Sequence, residues 1–166
     1  MSLIFTLLAP NMDKSTFDCG NIALNNYFKK QASQDMRRGF ATVIVASEKS
    51  QPNTTIGFYT LCAASILLND LPEETICKMP RYPNVPAIRL GRLAVHQDLQ
   101  GQHIGSLLML DALKRSCLSE LAWAVMLVDA KNDAIIHFYK KFLFQPFIDN
   151  KSQLWMHRKQ VEKLIF

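Results

Sequence analysis

The chain has 166 residues, of which 49% are hydrophobic and 20% charged, with a formal net charge of +5. That length can bury a real core, and that composition excludes a disordered or fibrous chain. No apolar run reaches the ~18 residues of a membrane helix, and the start MSLIFTLLAP lacks the basic segment of a signal peptide. Cys19, Cys62, Cys77 and Cys117 match no zinc or redox spacing. They read as free thiols in a reducing compartment, so a cytoplasmic protein without a membrane partner is expected. The mild positive charge suits RNA or a polyanionic cofactor, and equally suits proteins that bind neither.

Taken in order, Leu3 to Leu8 predicts a short strand stopped at Pro10. Asp18 stands where it can cap a helix over GNIALNNYFKKQASQ. Leu24, Tyr27 and Phe28 share one face of that helix by spacing. Lys29, Lys30, Arg37 and Arg38 make a basic patch, which as residues alone is most simply a solvated face. Phe40 to Ala46 predicts a strand, Ser47 to Thr54 a hairpin turn, and Thr55 to Leu67 a long strand with Gly57 as a candidate bulge. Asn69 to Pro86 holds four prolines and cannot be one regular element. Arg81, Tyr82 and Arg89 lie in or beside it, in a loop long enough to carry function.

Leu90 to Gly105, LGRLAVHQDLQGQHIG, is the stretch around which the chain is organised. Leu90, Leu93 and Val95 suit a buried strand. Gln100, Gly101 and Gly105 make a glycine-punctuated turn, and an apolar helix follows over Ile104 to Leu118. A strand feeding a glycine turn that opens a helix is a ready anion site, because loop N–H groups and the positive helix end converge. Neither a Walker lysine nor the dinucleotide spacing is present. A purely structural strand-to-helix turn is the alternative.

The helix of Ile104 to Leu118 has one polar stripe, Asp111, Lys114 and Arg115, so most of its circumference is expected to be buried. Trp123 to Val128 reads as a central strand covered on both faces. Asn132 can cap the next helix, whose Ile135, Phe138, Tyr139 and Phe142 fall on one stripe that should face the core. Phe144 to Phe147 and Gln153 to His157 predict two last strands, and RKQVEKLIF a helical or loose tail. His96, His137 and His157 have no partner at metal or triad spacing, so no metal is expected. With no repeat and no break in composition, residues 1–166 read as a single domain.

The turn resembles the acetyl-CoA loop of the GCN5-related N-acetyltransferases, whose pattern is Gln or Arg, two residues, Gly, one residue, then Gly or Ala. Gln100 and Gly105 fit its ends, while His103 stands in place of the middle glycine. FDCG, LNNYF, RYPNVPA, LGRLAV and the VDAKNDAIIHFYKKFLF block extend the resemblance over about residues 15 to 157. They resemble the acetyltransferase-toxin branch of bacterial toxin–antitoxin pairs. The resemblance implies an α+β fold: a mostly antiparallel twisted sheet flanked by helices, with a strand pair splayed at the acetyl-CoA site. It implies transfer of acetyl from acetyl-CoA to the α-amine of aminoacyl-tRNA, arrest of translation, and neutralisation by a ribbon–helix–helix antitoxin. DNA contact would come only through that antitoxin, and a homodimer is expected.

By motif, the resemblance makes Tyr139 the proton donor to the departing thiolate. It assigns the pantetheine arm to Leu93, Ala94 and Val95. The pyrophosphate goes to Gln100, Gly101, Gln102, His103, Ile104 and Gly105, with Asn132 and Phe138 beside the cofactor. Lys29, Lys30, Arg37, Arg38, Arg81, Arg89 and Arg92 are the candidate tRNA contacts. As residues alone, Tyr139 on a core stripe is more often a packing tyrosine, and Arg81, Arg89 and Arg92 are equally partners of carboxylates. Besides His103, Leu143 departs from the pattern, standing where glycine is common. A left-handed leucine costs about 1–2 kcal/mol, whereas histidine is among the residues enriched at positive φ. Two other readings follow: acetylation of protein or small-molecule amines, and a degenerate fold that binds a partner without catalysis.

Overall fold

The computed structural model describes residues 1–166. It opens with β1 (Leu3–Leu7), α1 (Ile22–Asn26), a π-helical turn (Tyr27–Gln31) and α2 (Ala32–Arg38), then β2 (Thr42–Glu48) and β3 (Gly57–Leu67). Next come α3 (Glu73–Ile76), β4 (Asn84–Val95) and α4 (Ile104–Leu118). β5 (Val125–Asp129), α5 (Asp133–Lys140), β6 (Gln145–Pro146), β7 (Gln153–His157) and α6 (Arg158–Ile165) complete it. The strands form one seven-stranded sheet in the order β1-β2-β3-β4-β5-β7-β6. Pairing is antiparallel for β1–β2, β2–β3, β5–β7 and β6–β7, and parallel for β4–β5. The mixed, mostly antiparallel architecture expected from the sequence is therefore present. The β4–β5 ladder runs from Ala87↔Val125 to Leu90↔Val128 and stops there, while β4 continues to Val95.

The chain forms two compact units. The first holds Met1–Cys62 and Gly91–Leu113. Its core is aromatic: Phe17, Phe28 and Phe58 are all fully buried, with ring centroids 5.0 Å apart for Phe17–Phe28 and 4.5 Å for Phe28–Phe58. Tyr27 and Leu24 join that cluster, as the helical spacing required. The second unit holds Ala63–Leu90 and Lys114–Phe166. Its core packs Val125, Leu127 and Trp155 of the sheet against Leu68, Leu71 and Phe147. No helix of the chain is long and apolar enough to cross a membrane.

Several local expectations are corrected. Asn21, not Asp18, caps α1, its side chain accepting from the Leu24 N–H at 3.1 Å. β2 runs on through Ser47, so the hairpin turn is shorter than the polar run suggested. Gly57 is no bulge: it pairs in register with Ala46. Its missing side chain lets the Ala94 carbonyl come close, since a Cβ there would lie 2.8 Å from that oxygen. The proline-rich stretch contains a 3₁₀ turn at Leu68–Asp70 and α3, and it already enters β4 at Asn84 with Pro86 inside the strand. On α4, Leu107, Leu110 and Leu118 are exposed, while Asp111 accepts a 2.6 Å hydrogen bond from the buried Tyr59 hydroxyl. Its circumference is thus less buried than its composition implied. On α5 only Tyr139 of the apolar stripe is buried. The central strand begins at Val125, not Trp123, and β6 is two residues long. The tail is helical.

Two non-glycine residues have positive φ, His103 at 63° and Leu143 at 73°. Leu143 is 56% exposed, so its side chain brings little burial to offset the strain. Leu143→Gly should therefore raise stability by about 1 kcal/mol in urea unfolding; a loss of stability would show that the leucine packs. Gly57→Ala should act the other way, costing about 1–3 kcal/mol through overpacking against the Ala94 carbonyl and Leu108, read from the same unfolding midpoint.

Candidate active site

In the first unit β4 ends in the buried pair Ala94 and Val95, with Leu93 half-buried beside them. His96 then caps a 3₁₀ turn over Gln97–Leu99, its Nδ1 accepting from the Asp98 N–H at 3.3 Å. Gly101 is left-handed at φ +80, and His103 is left-handed immediately before α4. The His103 carbonyl accepts from the Leu107 N–H at 3.1 Å, so His103 closes the first turn of the helix. Gly101, Gln102 and His103 are exposed, while Ile104 anchors the turn in the core. The first N–H groups of an α-helix have no acceptor within it. Together with the helix dipole they give this turn a geometry suited to an anion. The histidine does not disrupt the turn that the family builds with glycine.

The Gln100 side chain points into the protein. Its Nε2 donates to the Cys19 carbonyl at 2.9 Å and to the Val95 carbonyl at 3.0 Å. Asp18 sits alongside, accepting on Oδ1 from the Gly20 N–H and Asn25 Nδ2, both at 2.8 Å, and on Oδ2 from Gln97 Nε2 at 3.2 Å. The Gly20 N–H, then Asn25, hold its carboxyl below the usual carboxylate range.

In the second unit Tyr139 is 5% exposed, on α5. Phe138 and Phe144 flank its ring at centroid distances of 5.4 and 5.7 Å. The left-handed turn at Leu143 follows directly, and the Phe144 N–H reaches back to the Tyr139 carbonyl at 3.4 Å. Burial first, and then the negative charge of Asp129, push the Tyr139 hydroxyl well above its ordinary pKa. It therefore stays protonated at neutral pH and is available as a neutral acid. Asn132 uses its side chain as the α5 cap, accepting from the Ile135 N–H at 3.0 Å. Arg89 lies 4.0 Å from Asp129.

Lys29 and Lys30 lie in the π-helical turn and Arg37 and Arg38 in the last turn of α2, all four exposed. The Arg92 guanidinium stacks over the Tyr27 ring at 3.6 Å. Tyr27 donates to Asp35 at 2.9 Å, and burial followed by that bond pushes its hydroxyl to about 12. In the second unit Arg81 and Tyr82 are exposed side by side. His96 and His157 each accept a backbone N–H at the start of a helical turn. Sequence reasoning missed three participants. Asp18 was assigned to a cap, Tyr27 to packing alone, and Asp129 to nothing; their partners are remote in sequence or specified only by geometry.

Residues 39–146 match the acetyltransferase (GNAT) domain family. A tRNA-acetylating toxin of Mycobacterium tuberculosis is 30% identical over 155 residues, covering 92% of this chain and 90% of that protein. AtaT complexed with acetyl-methionyl-tRNAfMet superposes with a TM-score of 0.91 at 29% identity, over 99% of this chain and 100% of that one. A tyrosine-to-phenylalanine mutant of AtaT, bound to acetyl-CoA and the C-terminus of the antitoxin AtaR, does so with a TM-score of 0.82 at 25% identity. The coverage there is 99% of this chain and 98% of that one. With its left-handed cradle at the head of α4 and a domain match over most of its length, this chain belongs to the GNAT acetyltransferase family.

Proposed function

We propose that this protein is an acetyl-CoA-dependent N-acetyltransferase toxin. It acetylates the α-amine of aminoacyl-tRNA, so the charged tRNA no longer serves translation. It acts in the cytoplasm as a single domain spanning residues 1–166, as a homodimer. A ribbon–helix–helix antitoxin neutralises it and carries any DNA contact. The observation that carries this reading is the anion cradle at Gln100–Gly105, held open by left-handed Gly101 and His103. It supports the loop as the pyrophosphate site, with Leu93, Ala94 and Val95 offering backbone to the pantetheine arm. The similarity to tRNA-acetylating proteins along nearly the whole chain supports the acceptor.

The chemistry needs few groups. The acceptor α-amine, with a pKa of about 8, attacks the thioester carbonyl as the free base, so no strong protein base is required. A backbone N–H near the end of β4 stabilises the tetrahedral oxyanion. Attack forms the C–N bond; collapse restores the carbonyl and breaks the C–S bond, and the departing thiolate takes the Tyr139 hydroxyl proton. The tyrosinate regains a proton from solvent, balancing the proton lost from the amine. Lys29, Lys30, Arg37, Arg38, Arg81, Arg89 and Arg92 meet the tRNA backbone. Arg92, stacked on Tyr27, presents its fork in a fixed plane suited to phosphate.

Tyr139→Phe keeps the ring and removes the hydroxyl. Single-turnover acetylation of a pool of charged tRNAs should fall by at least about 100-fold, with acetyl-CoA affinity nearly unchanged and growth arrest lost. Activity within threefold of wild type would remove Tyr139 from the mechanism. Acetylation of peptides or polyamines but of no charged tRNA would leave the enzyme class standing and overturn the acceptor.

Charge reversal at two or three of Lys29, Lys30, Arg37 and Arg38 should weaken tRNA binding while acetyl-CoA binding stays constant. Wild-type affinity for tRNA should fall steeply with salt, since phosphate contacts release counterions. An affinity that stays flat between 50 and about 200 mM salt would make these residues a solvated face.

A further inference from the structure

The pyrophosphate loop does not hold itself. Five hydrogen bonds join the segment Thr16–Gly20 to the chain between Val95 and Gln100, or brace that junction. The Gln97 N–H donates to the Asp18 carbonyl at 2.8 Å, and Gln97 Nε2 to Asp18 Oδ2 at 3.2 Å. Gln100 Nε2 meets the Cys19 carbonyl at 2.9 Å, and His96 Nε2 lies 3.2 Å from the Thr16 carbonyl. The fifth brace is Gln100 to the Val95 carbonyl at 3.0 Å. Thr16–Gly20 is itself fixed at both ends. Phe17 is fully buried in the aromatic cluster. Asn25 of α1 grips the other side, accepting from the Cys19 N–H at 2.9 Å and donating to Asp18 at 2.8 Å.

We propose that Asp18 and Gln100 are positioning residues for acetyl-CoA. They set the register of the Gln100–Gly105 cradle against the first segment of the chain and act on the cofactor only through its backbone. The inference rests on the reading of that loop as the pyrophosphate site. It gives the FDCG motif a task that neither helix capping nor core packing explains. Asp18 is half-exposed and caps nothing. Gln100, the first residue of the loop pattern, has its amide nitrogen committed to two protein carbonyls. An anion cradle made of N–H groups tolerates displacement of only about 0.5 Å, so a loosened frame lowers affinity without removing a single contact to the ligand.

The test uses the intact protein and its Asp18→Ala, Gln100→Ala and double variants, with steady-state kinetics against a charged tRNA and calorimetry with acetyl-CoA. Each single change should raise KM and Kd for acetyl-CoA about tenfold, the effect of roughly one to two lost hydrogen bonds. kcat at saturating cofactor should stay within about twofold, because the reacting groups are untouched. The double variant should lose less than the product of the singles, since both act on one frame. Gln100→Glu, which sets a carboxylate against two carbonyls, should be worse than Gln100→Ala. Gln100 is exposed, so its variants fold even where Asp18→Ala does not. A KM unchanged in the Gln100 variants, or a fall in melting temperature without a change in KM, overturns the inference. Hydrogen exchange on wild type separates the two levels: if acetyl-CoA leaves the amides of residues 100–105 unprotected, the loop assignment itself fails.

Discussion

Between β4 and α4 the backbone must turn left-handed twice, at Gly101 and at His103, and the site depends on that turn. The conformation aims the free N–H groups of the helix start outward as one cluster, which neither an extended nor a helical connection does. Glycine is the residue without penalty at such positions. Histidine is tolerated where leucine or a β-branched residue would be costly. His103 is exposed at the turn and has no packing to lose. The same reasoning treats Leu143 differently. There the left-handed residue ends α5 and brings Phe144 edge-on to Tyr139, so the strain lies beside the proposed acid, where the turn decides how that ring is walled.

Tyr139 and the basic residues sit in opposite environments, and the roles proposed for them use opposite physics. Tyr139 is buried. Burial raises the energy of the phenolate more than anything else around it, with Asp129 adding to the effect. The hydroxyl thus keeps its proton at neutral pH, as the proposed donor must. Lys29, Lys30, Arg37 and Arg38 are exposed, and exposed charges exchange counterions for phosphates at little desolvation cost, which is what their proposed role requires. Arg92 lies between these regimes. Its guanidinium rests on the Tyr27 face, and Asp35 is engaged by the Tyr27 hydroxyl and Gln31. The cation is oriented by a ring, an arrangement that suits the phosphate contact proposed for it.

What could be read in the sequence follows from the range of the forces involved. Strand and helix identities were legible because hydrophobic period is local: α4 falls on Ile104–Leu118 and the Asn132 cap falls where a cap residue stands. Boundaries near prolines and polar runs were not. Pro86 inside β4 and Ser47 inside β2 are set by pairing with neighbouring strands, not by intrinsic preference. The α4 surface misled for a related reason. Leucines at Leu107, Leu110 and Leu118 look like core in any single-helix pattern, and only the fold shows that the sheet takes the other face. The strand–turn–helix around Gln100–Gly105 and the place of Tyr139 on a helix after β5 were legible as motifs. The frame that holds the loop was not, because Asp18 and Gln97 are separated by 79 residues and neither carries a pattern that names the other.

That frame also ties the first segment to the loop before α4. Asn25, which grips Asp18 and Cys19, belongs to α1, and α1 runs without a break into the π-helical turn carrying Lys29 and Lys30. A π turn widens the helix by one residue and rotates the following side chains relative to an α-helix. Tyr27, at its start, lies under Arg92, while the two lysines that follow are exposed. The side chains proposed to meet the tRNA are thus mounted on the same hydrogen-bonded support as the backbone proposed to hold the acyl donor. Within this unit, any change that shifts α1 moves both. On the proposed reading, acceptor and donor contacts share one support, and the two surfaces can be mutated independently only at residues whose side chains reach outward from it.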